Sequence, residues 1–202
     1  MKPIVFFRQW VNWRKALSVL LLRGDYLNGR HLHRQYSLPM RNLSLIYARS
    51  LNHCIGSEGK LPWQLPDDYQ FFDDTTRGHA VVMGRRTYED HNSKLEDRFN
   101  LVVTSNARYI AAEGVTVVGS LQAALDLATK CREVFVIGGV PLLVAAFDKA
   151  DRVYETRINT TVNGDTFLPA FDFSDFETTT VASHPIDQQH AFSFNIYLHQ
   201  RR

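Results

Sequence analysis

The chain has 202 residues, of which 45% are hydrophobic and 22% are charged, and it contains two cysteines. This composition is that of an ordinary globular protein and excludes collagen-like, low-complexity and disulfide-stapled classes. The net charge of +2 is unevenly distributed, because residues 1–39 hold seven basic residues and one acid whereas the remaining chain carries a net charge of −4. A mildly acidic body does not favour nucleic-acid binding.

Residues 1–39 differ in character from the rest of the chain. Their longest apolar run, 16–22, is shorter than the about 20 residues that cross a bilayer, and no secretory cleavage pattern follows it. Large apolar side chains recur at helical spacing at Phe6, Trp10, Trp13, Leu17 and Leu20. Such a basic amphipathic helix could contact a membrane or a partner, and an organellar transit peptide has a similar composition. We favour a disordered or loosely attached extension, or an upstream stretch that the native product does not contain. Met40 directly precedes the first predicted strand and offers an alternative start.

From Leu43 onward, short apolar runs alternate with amphipathic segments. The runs predict strands at 43–48, 80–83, 100–104, 115–118, 134–137, 152–158, 176–182 and 191–199. The segments between them predict helices over 66–76, from 86, over 121–130 and from 141. Two helix starts carry clear signals, Pro66 in a first turn and Ser120 as an N-cap.

This alternation predicts an α/β fold. Short connections favour a central, mostly parallel β-sheet with helices on both faces, and the last two strands, with no helix between them, should form an antiparallel C-terminal edge. We expect residues 40–202 to form a single domain. Ligands bind beyond the carboxyl ends of the strands in such sheets, so the segments after Ala48, Met83, Thr104 and Ile137 are the places to look.

The sequence Ile137-Gly138-Gly139 has the composition of a phosphate-binding turn. It follows an apolar strand and precedes a helix, where glycines allow close backbone approach and free N–H groups attract anions. It lacks the GxGxxG fingerprint, so a plain tight turn remains the alternative.

The sequence Met83-Gly84-Arg85-Arg86-Thr87 is a second junction of this kind. Arginine at a helix N-terminus opposes the helix dipole, and an anionic ligand would explain two of them together with a threonine hydroxyl. Two phosphate-ready turns in one sheet suggest a dinucleotide, with one turn for a pyrophosphate and the other for a 2′-phosphate. Two solvated surface arginines are the alternative.

Asp67 and Asp68 stand in the first turn of the helix that begins at Pro66. Acids at this position are usually partners of the helix dipole. Phe71 and Phe72 follow four residues after Asp67 and Asp68, respectively, so either carboxylate could share a helix face with an aromatic ring. Such a carboxylate would have a raised pKa suited to proton exchange with a polar heterocycle. Periodicity does not decide which aspartate points inward.

The sequence contains no recognised metal-binding motif and no recognised motif for a catalytic nucleophile. His31, His33, His53 and His91 match no metal-ligand spacing, and the chain contains no GxSxG sequence. We therefore expect no metal site and neither a hydrolase nor a metalloenzyme.

Several motifs, in order and in register, resemble the dihydrofolate reductase family. They are Ile55-Gly56, Leu61-Pro62-Trp63-Gln64-Leu65-Pro66-Asp67-Asp68, Val82-Met83-Gly84-Arg85-Arg86-Thr87-Tyr88-Glu89, Val136-Ile137-Gly138-Gly139 and Asn163-Gly164-Asp165-Thr166-Phe167-Leu168-Pro169. The resemblance runs from about Leu43 to the C-terminus. It implies the single-domain fold of that family and the NADPH-dependent reduction of 7,8-dihydrofolate to 5,6,7,8-tetrahydrofolate, with hydride transfer from nicotinamide C4 to pterin C6 and protonation at N5.

The resemblance also implies catalytic roles. The family's catalytic carboxylate falls on Asp68, which would bind the pterin 2-amino group and N3 and assist protonation. Thr156 would hydrogen-bond that carboxylate and a pterin-linked water, and Trp63 would hold a second water. Residues 50–64 correspond to a mobile loop that closes over the nicotinamide, and Asp165 would steady its closed form.

Binding residues follow from the same resemblance. Arg98 would pair with the α-carboxylate of the glutamyl tail, Gly138 and Gly139 would receive the pyrophosphate, and Arg85 with Thr87 would bind adenosine phosphates. The substrate would contact Ile46, Asp68, Tyr69, Phe72, His91, Leu95, Arg98, Ile137 and Thr156. The cofactor, NADPH, would contact Ala48, Ile55, Gly56, Leu61, Gly84, Arg85, Arg86, Thr87, Thr104, Ser105, Ile137, Gly138, Gly139, Val140 and Leu142.

Five residues depart from the family pattern. Tyr69 replaces a leucine or phenylalanine, His91-Asn92 stands where Ile-Gly is typical, Val140 replaces a third glycine, and Leu143 replaces a tyrosine. The implied catalytic set is intact, so we expect an active enzyme. Two alternatives remain: another NADPH-dependent reductase of the same fold, such as the riboflavin-pathway pyrimidine reductase, and an inactive binding or structural homologue.

The expected setting is that of a small metabolic enzyme. We expect a monomer whose partner is the small-molecule substrate dihydrofolate, with no nucleic acid and with membrane contact by residues 1–39 disfavoured. Cytoplasmic location is expected, with organellar targeting by the extension as the alternative.

Overall fold

The computed structural model describes residues 42–91 and 94–202, with His91 described by its backbone alone. The amphipathic segment and the extension predicted at residues 1–39 lie outside the described residues. The strands are β1 (Asn42–Ser50), β2 (Cys54–Gly56), β3 (Ala80–Gly84), β4 (Phe99–Val103), β5 (Val115–Val118), β6 (Glu133–Gly138), β7 (Arg152–Ile158), β8 (Thr166–Phe167), β9 (Phe176–His184) and β10 (Phe194–Arg201). The helices are α1 (Pro66–Thr76), α2 (Arg85–His91), α3 (Leu121–Leu127) and α4 (Val140–Phe147).

Eight of these strands form one sheet in the order β5-β4-β3-β6-β1-β7-β10-β9. The pairs from β5 to β7 are parallel, whereas β10 runs antiparallel to both β7 and β9. The predicted α/β class, the mostly parallel sheet and the antiparallel C-terminal edge are confirmed. No helix among the described residues is long and apolar enough to cross a membrane.

Alternate side chains along the strands pack into two hydrophobic clusters, one on each face of the sheet. On β1, Leu43 and Leu45 pack in one cluster, which includes residues of α3 and α4, whereas Ile46 packs in the cluster that receives residues of α1 and α2. This period of two is what a strand imposes, because successive side chains point to opposite faces. Helices therefore cover both faces of the sheet, as predicted.

The helix ends follow their local signals with one difference. Pro66 opens α1, and the Ser120 hydroxyl accepts a hydrogen bond from Ala123 N at 3.1 Å at the start of α3. The prediction that α3 reaches residue 130 is wrong, because the helix ends at Leu127 and a turn leads into β6. That turn is closed by a bond from Cys131 N to Ala128 O, which diverts the chain from the helix axis.

Two short strands were not predicted. β2 and β8 have three and two residues and form a small antiparallel sheet in which Gly56 lies opposite Thr166. Segments of this length show no hydrophobic period. Their pairing fixes residues 54–56 against the segment that contains Asp165.

Candidate active site

Strand β1 and its neighbour β7 bring the predicted catalytic residues together. The parallel register places Ala48 beside Thr156 and Ile46 beside Tyr154. Thr156 is buried, and its hydroxyl hydrogen-bonds the carboxyl group of Asp68 in the first turn of α1. The sheet therefore supplies a polar anchor for the first turn of this helix.

The structure distinguishes the two adjacent aspartates by burial. Asp68 is 8% exposed, whereas the side chain of Asp67 is 59% exposed and faces His184 and His190. Burial raises the pKa of the Asp68 carboxyl above its usual range, and the hydrogen bond from Thr156 opposes this effect. A carboxyl group in this environment remains protonated to higher pH than one in water, which suits a proton donor.

Trp63 lies just before α1 in the sequence, close to the turn that carries Asp68. Its side chain is buried in a cluster with Leu65, Ile158, Phe194 and Ile196. The indole Nε1 is also buried and has no hydrogen-bond partner among the described residues. Because buried indole N–H groups usually have an acceptor, this atom is a position where a ligand or a water can bind.

Tyr69 follows the buried aspartate and is partly exposed. Its hydroxyl is 3.5 Å from Trp63 O, and burial together with the charge of Asp68 raises its pKa. Its side chain is 44% exposed, so a tyrosine is accommodated here without entering the core.

The predicted apolar walls come together in the core layer on the α1 side of the sheet. Four residues predicted to contact the substrate lie in or against one cluster: Ile46, Phe72, Leu95 and Ile137. They come from β1, α1, the segment before β4, and β6, so only the fold brings them together. His91 closes α2, but its side chain lies outside the described part of the chain.

Arg98 is buried, with only 3% of its side chain exposed. Its Nη2 donates to Asp73 Oδ1 and to Asp73 O, both at 2.6 Å, and its Nε donates to the Thr76 hydroxyl at 3.1 Å. Nη1 donates to Glu96 O at 2.7 Å. Asp73 was not predicted as a site residue, because in the sequence it is only one more acidic residue on the helix that carries Asp68.

The two glycine-containing turns are adjacent at the carboxyl edge of the sheet. The β3–β6 register places Met83 beside Gly138, and a side chain at Gly84 would come within 3.5 Å of Gly139 N. Gly138 has a φ of 139°, and the peptide bond between Gly138 and Gly139 is cis. A Cβ at either glycine would approach the Thr87 hydroxyl, at 3.4 and 3.5 Å respectively. Only glycine leaves this cradle open for a ligand.

The start of α4 offers backbone donors at this cradle. Gly139 is the N-cap and provides no side-chain hydrogen bond, and Val140 and Leu142 are half-buried in the first turn. Pro141 has no N–H group and Leu142 N donates to Gly139 O at 3.0 Å, so the N–H groups of Gly139 and Val140 are the ones left without a helical partner. Leu143, in contrast, is 1% exposed and packs in the core cluster that includes residues of α3 and α4. An anionic group therefore has donors at the start of α4.

The predicted phosphate-binding side chains lie at the same edge. Arg85 pairs with Glu89 at 3.1 Å, and Arg86 is exposed in the first turn of α2. Thr104 directly follows β4, where its hydroxyl accepts from Asn106 N at 3.1 Å, and Ser105 beside it is exposed. These side chains flank the glycine cradle and fit a phosphorylated cofactor with several anionic groups.

The predicted loop over residues 50–64 is hydrogen-bonded to a segment about 100 residues later in the chain. Asp165 Oδ2 accepts a hydrogen bond from Glu58 N at 2.9 Å, and Asp165 N donates to Gly56 O at 3.1 Å. The first of these bonds, with one from Thr166, lowers the pKa of Asp165. Ile55 packs against the core, and Leu61 is 37% exposed. The loop is thus fastened through its backbone, while Leu61 remains accessible to a ligand.

A cavity of about 130 Å³ lies on the other face of the sheet. Among its lining residues are Tyr47, Arg49, Glu155 and Arg157. Their positions alternate along β1 and β7 with Ala48 and Thr156, so these side chains project away from Asp68. The cavity is separate from the predicted catalytic residues.

Comparison with known proteins gives one consistent result. The family model described as dihydrofolate reductase matches residues 42–201. A dihydrofolate reductase of Bacillus subtilis is 36% identical over 160 residues, which cover 79% of this chain and 95% of that protein. The type 3 dihydrofolate reductase of Salmonella typhimurium is 41% identical over 151 residues, which cover 75% of this chain and 93% of that protein.

A solved structure shows the same likeness in three dimensions. The dihydrofolate reductase of Enterococcus faecalis, complexed with NADP(H) and RAB-propyl, has a TM-score of 0.74 and 36% sequence identity. The match covers 80% of this chain and 96% of that chain.

Proposed function

The chain belongs to the dihydrofolate reductase family, and on this basis we propose which of its residues bind, orient and protonate the substrate. The reaction is the NADPH-dependent reduction of 7,8-dihydrofolate to 5,6,7,8-tetrahydrofolate. The observation that carries the assignment of roles is the buried Asp68, hydrogen-bonded to Thr156 beside the apolar cluster.

Asp68 binds the pterin and assists its protonation at N5. When bound, NADPH supplies the hydride that pterin C6 receives. The carboxyl of Asp68 hydrogen-bonds the 2-amino group and N3 of the pterin, and its raised pKa keeps a proton available at the site. Thr156 fixes the orientation of this carboxyl group. Trp63 Nε1, buried without a partner among the described residues, donates to a water at the pterin.

The apolar cluster positions the ring system and excludes water. Ile46, Phe72, Leu95 and Ile137 form walls for the pterin and benzoyl rings. Much of the rate enhancement in such a site comes from holding the reacting rings in near-contact geometry, away from solvent. Arg98 binds the α-carboxylate of the glutamyl tail through its remaining donor capacity. Tyr69 and His91 complete the substrate-binding set.

The glycine cradle holds the pyrophosphate of NADPH. Gly138, Gly139 and the N–H group of Val140 at the start of α4 receive it, and the absence of side chains at the two glycines makes the approach possible. Arg85, Thr87, Thr104 and Ser105 bind the adenosine phosphates, with Arg86 in support. Gly84, Val140 and Leu142 line the same turn.

Residues 50–64 close over the nicotinamide ring, which contacts Ala48, Ile55, Gly56 and Leu61. The bond between Glu58 N and Asp165 Oδ2 supports this role, because it ties the loop to a distant segment. Gating by such a loop can limit turnover through product release.

The remaining assignments concern the whole chain. We infer that residues 40–202 form the catalytic domain and that residues 1–39 are an extension outside the catalytic machinery. The family model, which begins at residue 42, supports this division. The enzyme acts as a cytoplasmic monomer without nucleic-acid or membrane partners, in keeping with the acidic charge balance of its body.

The test is NADPH oxidation by purified full-length protein in the presence of dihydrofolate. Asp68→Asn should reduce kcat/KM by roughly 100-fold or more while NADPH still binds. Asp74→Asn, which alters an exposed acid on the same helix, should leave the rate unchanged. NADPH binding without turnover of dihydrofolate by the unmodified protein would instead favour an inactive homologue, and oxidation only with a riboflavin-pathway pyrimidine would favour the related reductase.

A further inference from the structure

The first turn of α1 meets the loop between β9 and β10 in a cluster of two histidines and two carboxylates. His184 Nε2 is 3.1 Å from Asp67 Oδ2, and His190 Nε2 is 3.7 Å from Asp67 Oδ1. Asp187 lies behind the histidines, with Oδ1 at 2.8 Å from His190 Nδ1. One donor atom from each of Asp67, His184 and His190 lies within 4.8 Å of the other two.

The outer hydrogen bonds fix the tautomer of both imidazoles. His184 Nδ1 is 2.7 Å from Pro185 O, and a carbonyl oxygen can only accept, so the proton lies on Nδ1. His190 Nδ1 faces a carboxylate oxygen of Asp187, which also accepts from the backbone N–H groups of Gln189 and His190. Both Nε2 atoms of the neutral rings therefore present lone pairs.

These lone pairs face the Asp67 carboxylate, which is itself an acceptor. No lysine or arginine pairs with Asp67 or Asp187 among the described residues. His190 Nε2 accepts a long bond of 3.3 Å from Asp67 N, but His184 Nε2 has no such donor there. Two acceptors that face each other at 3.1 Å around a net negative charge repel, and a metal ion or a proton between them removes this repulsion.

We propose that Asp67, His184 and His190 bind one divalent transition-metal ion, with Zn²⁺ as the best fit. Imidazole and carboxylate donors suit this class of ion, and three protein ligands leave a fourth position for water. With metal–ligand bonds of about 2.0–2.2 Å, donor atoms of a tetrahedral site lie about 3.3 Å apart. The 3.1 Å separation of His184 Nε2 and Asp67 Oδ2 already matches this spacing. His190 Nε2 lies 3.7 Å from the other carboxylate oxygen, Oδ1, and the three ligand atoms lie within 4.8 Å of one another, so His190 must move closer and give up its long bond to Asp67 N.

The groups behind the two histidine rings are placed to orient them for metal binding. A histidine that binds a metal generally donates its other ring N–H to a carboxylate or a carbonyl, which orients the ring. Asp187 and Pro185 O fulfil these roles for His190 and His184. The ion would join the β9–β10 loop to α1 one residue before Asp68. The site is independent of the proposed reduction chemistry.

The experiment measures bound metal on the full-length chain. Protein stripped with EDTA is dialysed against Zn²⁺, and bound zinc is counted for the unmodified chain, Asp67→Asn, His184→Gln and the control Asp74→Asn. The unmodified chain and Asp74→Asn should each bind one equivalent more than the other two variants. The subtraction removes zinc held elsewhere, including by His31 and His33, which all four proteins share.

Two further readouts keep the result independent of folding defects. Co²⁺ should give a visible d–d spectrum of a nitrogen- and oxygen-ligated ion in the unmodified chain, and this spectrum should be lost in both ligand variants. Zn²⁺ should raise the melting temperature of the unmodified chain and of Asp74→Asn but not that of Asp67→Asn or His184→Gln, because ligands that bind the native state stabilise it. Equal zinc content in all four proteins, each with a native circular dichroism spectrum, would overturn the proposal and leave a proton as the cation between His184 and Asp67.

Discussion

Arg98 and Asp73 form an ion pair of 2.6 Å in which the guanidinium is almost completely buried and the carboxylate remains 37% exposed. The hydrogen bond from Arg98 is the main reason that the pKa of Asp73 is lowered. Four of the five N–H groups of Arg98 are used within the protein, two of them by Asp73. Asp73 is therefore placed to compete with any carboxylate that a ligand brings to Arg98.

Removal of this competing charge should strengthen binding of the substrate's glutamyl tail. Asp73→Asn keeps the backbone bond to Arg98 but frees its guanidinium from a carboxylate. We expect the KM for dihydrofolate to fall about three- to tenfold with little change in kcat, because the interaction is made equally in the ground and transition states. Steady-state kinetics at saturating NADPH measures this effect.

The matched control is Asp97→Asn. Asp97 and Asp73 both pair with Arg77, but among the described residues no hydrogen bond or ion pair joins the Asp97 carboxylate to Arg98, so this variant should leave the KM unchanged. A dihydropterin without a glutamyl tail should show the same KM with Asp73→Asn as with the unmodified enzyme. An equal decrease for both substrates would contradict the proposed competition.

The sequence predicted the sheet well because its signals are local. Apolar runs such as 80–83 and 134–137 alternate with helices, and each signal lies within a few residues. The choice between Asp67 and Asp68 depends instead on partners far along the chain. Asp67 faces His184 and His190, more than a hundred residues away, while Asp68 meets Thr156. Periodicity within α1 contains no information on these contacts.

Asp73 was not predicted for the same reason, because its role depends on a contact made by the fold. Asp73 is an ordinary acidic residue until the fold brings Arg98 beside it, 25 residues later. The glycine turns were recognised because a glycine between a strand and a helix is itself informative. Their mutual proximity around Thr87 comes from the parallel pairing of β3 with β6, which local sequence does not determine.

The hydrogen bond from Thr156 to Asp68 predicts a pH effect with a definite sign. This bond opposes the effect of burial, so Thr156→Val should raise the pKa of Asp68 further. Because protonated Asp68 serves the reaction, the pH at which hydride transfer declines should move upward. Single-turnover rates over a pH series measure this step without interference from product release. Thr156→Ser keeps the hydroxyl and should retain the original profile, and a downward shift in the valine variant would contradict the prediction.

Glu155 is the centre of a buried charge cluster on the other face of the sheet. It is 1% exposed and contacts Arg49 at 2.5 Å, Arg157 at 2.8 Å and His199 at 3.3 Å. Burial alone would raise the pKa of Glu155, but the hydrogen bond from His199 and the two arginine charges hold it at about 2, below the ordinary 4.5. The ionised form is therefore the one that the fold stabilises.

Glu155→Gln should lower the free energy of unfolding by about 3 kcal/mol near neutral pH, because it removes a buried charge that pairs with the half-buried Arg49 and Arg157 and leaves both without their counter-charge. For a carboxyl group with a depressed pKa, the stabilisation is complete above the unfolded value of 4.5 and is lost as the pH falls towards about 2. Urea unfolding should therefore show a difference between the two proteins that narrows below pH 4.5. Glu177→Gln, at an exposed position on β9, should give no comparable difference at any pH.

Gly164 lies where the Asp165 segment packs closely against the loop over residues 50–64, and this contact leaves no room for a side chain. A Cβ at this position would overlap Cys54 Sγ and the carbonyl oxygen of Gly56, both of which belong to β2. Gly56 O also accepts the hydrogen bond from Asp165 N. Gly164→Ala should therefore push β2 from β8, lower the free energy of unfolding by about 1–3 kcal/mol and raise the KM for NADPH.

Gly119→Ala is the control, since no atom lies within 4 Å of its added Cβ, and it should have almost no effect on stability. Equal unfolding midpoints for the two alanine variants in urea would mean that β2 can move aside without cost, and the loop would then not depend on close packing at Gly164.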